Sequence, residues 1–128
     1  MAILELKDVC YKADKRLIIN HLNLTVQKGE KIAVVGPSGS GKSTLFHLLC
    51  DLISPTSGTM LYNNKAYSEY EPETLREQIS YLPQQTDLFD RTIGENLAFP
   101  SIARNDEFDK ERALKLLSEF GLERYDLD

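Results

Sequence analysis

The chain has 128 residues, 41% of them hydrophobic and 27% charged, a composition and length that suit one soluble globular domain with its own core. A net charge of −5 argues against a nucleic-acid-binding surface, so no nucleic-acid partner is expected. Cys10, Cys50, His21 and His47 stand apart from one another, which excludes a clustered metal or redox motif and reads as four structural residues.

In chain order, Ile3 to Val9 alternates apolar and polar residues, and Leu22, Leu24 and Val26 repeat the same period of two. Both segments predict half-buried strands, joined across a charged turn at Ala13 to Arg16. The N-terminus carries no basic and apolar leader, and no apolar run approaches the ~20 residues of a membrane span. A cytoplasmic chain, held at a membrane only through a partner, is the expectation. A second turn at Lys28-Gly29-Glu30 leads into Lys31 to Val35, whose β-branched run predicts a strand covered on both faces.

Gly36-Pro37-Ser38-Gly39-Ser40-Gly41-Lys42-Ser43 then satisfies the phosphate-loop pattern G-x-x-x-x-G-K-[ST]. A triphosphate must be held by donors that approach closely, and glycines let the backbone turn its N–H groups inward as a concave nest. The helix that follows adds its N–H groups and the positive end of its dipole. Lys42 would bring a full charge to the β- and γ-phosphates, Ser43 a hydroxyl for Mg²⁺, and Thr44 a contact near the α-phosphate. ATP with Mg²⁺ is the expected ligand. A chance match in a chain this long falls below about 1%, given ordinary glycine usage.

Beyond the loop, Lys42 to Leu52 predicts a helix with Leu45, Leu48, Leu49 and Leu52 on one face, ended by Ser54-Pro55-Thr56-Ser57-Gly58. Thr59 to Tyr62 reads as a strand, Asn63-Asn64-Lys65 as a turn, and Pro72 to Gln78 as a short helix feeding a strand at Ile79 to Leu82. Thr92 to Leu97 is a helical turn or two. Asp106 to Leu122 is a longer helix, with Ala113, Leu116, Leu117 and Phe120 on its apolar face and Gly121 as its C-terminal cap.

Two strands ahead of the phosphate loop set this chain apart from small-molecule kinases, in which the loop follows the first strand. LELKDVCY, HLNLTVQKGEKIAVVGPSGSGKSTL and ISPTSGTMLYNN together resemble the start of an ABC-transporter ATPase domain. ISYLPQ followed by Leu88-Phe89 and Thr92-Ile93-x-Glu95-Asn96-Leu97 is similar to that family's Q-loop region. The resemblance covers essentially the whole chain, and its alternatives are a soluble non-transport ABC ATPase or a P-loop kinase. YKADKRLIINHLNL, DLISPTSGTMLY and TLFDRTIGENLAFP resemble more narrowly the ATPase subunit of bacterial iron-export systems.

The resemblance implies an α/β fold: a P-loop NTPase core of ABC type, with an N-terminal antiparallel β-layer and the start of an α-helical subdomain. Residues 1–84 would be the β-layer and P-loop core, and 85–128 the Q-loop with the first subdomain helices. It also implies that Gln84 ligates Mg²⁺ near the attacking water, and that an aromatic stacks on adenine; Tyr11 is the candidate, although a gap-free match places Ala13 there. The implied partners are a transmembrane permease subunit and a second ATPase subunit, on the inner face of the cell membrane. No LSGGQ-type signature, Walker B strand ending in Asp-Glu or switch histidine occurs within residues 1–128. The chain therefore reads as a truncated N-terminal portion that binds nucleotide without hydrolysing it alone.

Overall fold

A computed structural model describes residues 1–128 as two compact units, Met1–Leu82 and Pro83–Asp128. In the first, β1 (Ala2–Ala13) and β2 (Arg16–Gln27) form a long antiparallel hairpin, and β3 (Ser57–Tyr62) and β4 (Lys65–Ala66) extend the sheet in the order β2-β1-β3-β4. Both hairpin turns are two residues long with both central residues left-handed: Asp14 and Lys15 at φ 46° and 68°, Asn63 and Asn64 at φ 49° and 62°. That is the turn whose twist matches paired strands, and asparagine and aspartate tolerate it best.

The alternation in β1 and β2 changes parity, and the backbone follows it. Leu4 and Leu6 face the core on even numbers, Val9 and Tyr11 on odd; in β2, Leu24 and Leu22 give way to Ile19. The slip occurs at Asp8 and His21, which face each other at φ 54° and 49°, where the register of the pair shifts. Two opposed bulges thus keep one apolar face continuous. The donors they free are not left unpaired. Asp8 N–H donates to Asn23 Oδ1 (3.0 Å), His21 N–H to Cys10 Sγ (3.2 Å), and the His21 ring meets Asp8 Oδ1 at 2.6 Å. On the other side of β1, Gly58 comes so close that a Cβ there would collide with the backbone of Asp8 and Val9.

Helix α1 (Lys42–Leu49) lays Leu45 and Leu48 on this face, completing a core with Leu6, Val9, Ile19 and Met60. It ends three residues before the expected Leu52, because Asp51 turns left-handed (φ 53°). Asp51 N–H then bonds Leu48 O (3.1 Å) and Leu52 N–H bonds His47 O (2.9 Å), the two bonds of a Schellman motif. Leu52 is left half exposed, outside the core. The next orphan carbonyl, Leu49 O, accepts the hydroxyl of Tyr67 at 2.8 Å from the short 3₁₀ turn Tyr67–Glu69. Burial pushes the Tyr67 phenol far above its ordinary 10.0, reinforced by the neighbouring Cys50 thiol and Asp51 carboxylate.

Two expected strands are absent. Lys31 to Val35 and Ile79 to Leu82 carry no strand structure, and neither joins the four-stranded sheet. The reason is physical: a strand is stabilised by neighbours that pair with it, and no element of this chain offers either segment a ladder. Val35 is accordingly 89% exposed and Leu82 84%, the opposite of a strand buried on both faces. Helix α2 (Pro72–Gln78) forms where expected, with Pro72 at its start and Leu75 fully buried.

In the second unit, α3 (Ile93–Ala103) is longer than the one or two turns expected, and α4 (Lys110–Glu119) shorter than the span 106–122. Thr92 and Glu95 form a reciprocal capping box (3.1 and 3.0 Å), which anchors the start of α3, while Leu127 O takes the Gly94 N–H (2.7 Å). Asp109 caps α4 by accepting the Arg112 N–H (2.9 Å), moving its start inward from Asp106. Ala98, Ala113 and Leu117 are buried, whereas Leu116 and Phe120, expected on the apolar face, are 41% and 77% exposed. Both helices end as α1 does, with Asn105 (φ 56°) and Gly121 (φ 70°) in the left-handed position; Gly121 is the expected cap.

Candidate nucleotide site

The phosphate loop runs from the irregular segment after Gly29 into the first turn of α1. Gly39 (φ 77°) and Gly41 (φ 95°) adopt left-handed backbone that ordinary side chains avoid, and Gly41 serves as the N-cap. Two of the positions are crowded as well. A Cβ on Gly36 would lie 2.8 Å from Ser40 Oγ, and one on Gly41 would lie 3.1 Å from the Ile18 side chain of β2. Within the loop only one backbone bond closes, from Ser40 N–H to Pro37 O (3.2 Å).

Lys42 folds back over this turn. Its Nζ donates to Gly36 O (2.6 Å) and Pro37 O (2.8 Å), with Ser40 Oγ at 3.4 Å. The ammonium is therefore held at the mouth of the loop by neutral carbonyls rather than by a carboxylate. No acidic residue stands in the first turn of α1, and Gly41 brings no side chain to its N–H groups. Such an N-terminus keeps its donors and its positive dipole end for an anion. Ser38 is exposed in the loop, and Ser43 exposed and Thr44 half-buried in the first turn of α1. An open groove of about 350 Å³ borders the loop between Ile18, Ile19 and Leu22 of β2 and Val34, Val35 and Pro37.

The residues present fit a nucleotide phosphate chain: a glycine cradle closed to side chains, a centred ammonium and an uncapped helix start. For Mg²⁺ they offer neutral oxygens. No group of three or more His, Cys, Asp or Glu side chains could hold a metal ion, so the cation would arrive on the phosphates and take the Ser43 hydroxyl.

The remaining candidates are placed less tellingly. Tyr11 pairs with Ile19 across the hairpin, is half-buried and packs against the β-layer core; Ala13 closes the hairpin opposite Arg16. Gln84 is exposed in irregular chain at the start of the second unit. Two residues to which the sequence assigns no site role, Asn96 and His47, organise the neighbourhoods of the motifs. Asn96 ties the segment from Phe89 to Thr92 together: its side chain accepts the Phe89 N–H (2.9 Å) and donates to Phe89 O (3.1 Å), Arg91 O (3.4 Å) and Thr92 O (2.9 Å). His47, on the P-loop helix, meets the ring of Tyr81 edge-on at 5.5 Å between centroids. Neither has a local sequence signal beyond its presence in a loop-rich or helical stretch.

Comparison with known proteins points the same way. A family model described as ABC transporter matches residues 19–127. The probable iron export ATP-binding protein FetA of Escherichia coli is 42% identical over 120 residues, which are 94% of this chain and 53% of that protein. The mitochondrial iron-sulfur clusters transporter ATM1 of Saccharomyces cerevisiae is 41% identical over 97 residues, 76% of this chain and 14% of its own length. A solved structure described as the ATP binding subunit of an ABC transporter superposes at a TM-score of 0.83 with 32% identity, covering 98% of this chain and 53% of that one. A bacterial Atm1-family ABC exporter with ATP bound gives 0.72 at 32% identity, covering 77% of this chain and 18% of that one. The chain thus spans about half the length of FetA, at 53%, and a smaller part of ATM1. With a matched model over most of its residues and an α/β architecture shared with these structures, the chain belongs to the ABC transporter family.

Proposed function

We propose that this chain is the nucleotide-binding part of a transporter ATPase, holding ATP through Gly36, Pro37, Ser38, Gly39, Ser40, Gly41, Lys42, Ser43 and Thr44. The observation that carries this reading is the loop itself, in which the Lys42 ammonium lies over the Gly36 and Pro37 carbonyls at 2.6 and 2.8 Å beside an uncapped helix start. Lys42 draws in the β- and γ-phosphates, the loop N–H groups orient them, and Ser43 supplies an oxygen to Mg²⁺, which neutralises charge between phosphates. Gln84 adds a neutral amide for the cation and the water, and Tyr11 an aromatic face for adenine.

The same reading makes the complete protein an ATPase that couples ATP binding and hydrolysis to the movement of a transmembrane permease, from the cytoplasmic face of the membrane and with a second ATPase subunit. Metal or iron export is the transport direction that the likeness to FetA favours. No helix here is long and apolar enough to cross a membrane. Because residues 1–128 contain no Walker B carboxylates and no signature motif, this chain binds nucleotide and does not turn it over. Incubation with Mg·ATP tests that half of the reading. Phosphate release should stay at the no-protein level, and multiple turnovers at ordinary enzyme rates would contradict it.

A further inference from the structure

A second cavity of the first unit lies away from the phosphate loop, at the other end of α1. It measures about 570 Å³ and is bounded by the Asp51–Pro55 turn, β3, the 3₁₀ turn and α2. That volume is within the range of small-molecule sites. Its walls are stiffened by Pro55 and Pro72, and both of its tyrosines have already used their hydroxyls, Tyr67 on Leu49 O and Tyr70 on Tyr62 O (2.8 and 2.9 Å). The two charged side chains that line it are Asp51 and Arg76, opposite in sign, and neither forms an ion pair within the chain.

Asp51 breaks two local rules. It is a non-glycine residue in left-handed backbone, φ 53°, at a helix terminus where glycine or asparagine is favoured. Its carboxylate also stands at the negative end of the α1 dipole, where a cation would be stabilised and an anion is not. Violations of local preference concentrate where a residue serves a ligand. A cation beside Asp51 would relieve the repulsion. Arg76 suits a carboxylate, and the side chains of Ile53 and Met60 with the Tyr67 ring offer an apolar floor.

We propose that this cavity binds a small zwitterion, an α-amino acid with an apolar side chain or a short peptide of such residues. Its ammonium pairs with Asp51 and its carboxylate with Arg76. The occupied site would brace the C-terminal end of the helix whose N-terminus forms the phosphate loop. The inference stands apart from nucleotide binding, since none of its residues belongs to that loop.

Thermal unfolding and amide NMR of the 128-residue chain with millimolar L-leucine, L-methionine or Leu-Leu test it. At least one should raise Tm and shift the amides around Asp51 and Tyr67. N-acetyl-leucine and leucinamide, each lacking one charge, should bind about tenfold more weakly or worse, as should all probes to Asp51→Asn and Arg76→Gln. Asp51→Asn separates ligand binding from folding, because it should raise the Tm of the free chain while losing the response. ATP affinity should be the same in both variants, so a failed P-loop assignment would show separately. No response to any probe, or a response unchanged in both variants, would overturn the proposal.

Discussion

Lys42 is the residue on which most of the functional reading rests, and its neighbours explain why a substitution there is informative. Its ammonium is held by neutral acceptors, so losing it removes charge from the loop without orphaning a buried carboxylate. Tyr67 is the corresponding structural residue. Tyr67→Phe leaves Leu49 O without its partner and should cost about 1–2 kcal/mol in urea unfolding. The same substitution carries a pH signature. The folded state holds the Tyr67 proton, and that of Cys50, more tightly than the unfolded chain, whose ordinary values are 10.0 and 9.0. Stability from these groups is complete below pH 9 and is lost as pH rises beyond those values, since the unfolded state releases protons first. Urea midpoints should therefore fall above pH 9, and Tyr67→Phe should flatten the part of the decline above pH 10. At Gly58, space and φ 91° both forbid a side chain; Gly58→Ala should destabilise the fold by about 3 kcal/mol, because β3 must retreat from the Asp8–Val9 backbone.

Elements were readable from sequence wherever their signals were local. The α2 helix begins at its proline, the phosphate loop opens a helix at Lys42, and the two-residue turns sit at Asp14-Lys15 and Asn63-Asn64. Helix ends were read less well, for a reason visible in the residues that make them. Asp51 and Asn105 occupy the left-handed position that Gly121 also fills, but an aspartate or asparagine marks that position less plainly than a glycine does. The start of α3 depends on a capping box, and Thr92→Ala should cost about 1 kcal/mol in urea unfolding of the chain. The opposed bulges at Asp8 and His21 could be suspected only from the parity change between Leu6 and Val9, since nothing in either residue forces a bulge. Lys31 to Val35 and Ile79 to Leu82 show the limit of periodicity. Their residues favour strands, yet a ladder needs partners, and composition does not reveal whether partners exist.

At the scale of the molecule, the antiparallel β-layer and the P-loop helix share one core, so the loop is mounted on Leu45 and Leu48 against Leu6, Val9, Ile19 and Met60. Its chemistry was legible because it resides in eight contiguous residues whose backbone and side chains act together. Gln84 and Tyr11 are a different case. Their proposed roles depend on long-range placement around a nucleotide, which neither spacing nor exposure determines. The central claim is that the Gly36–Ser43 loop binds ATP, and the most direct measurement is equilibrium titration of the 128-residue chain with a fluorescent ATP analogue and Mg²⁺. Saturable binding is expected, competed by ATP and abolished by Lys42→Ala in a chain that unfolds with an unchanged urea midpoint. Affinity retained by Lys42→Ala would contradict the assignment.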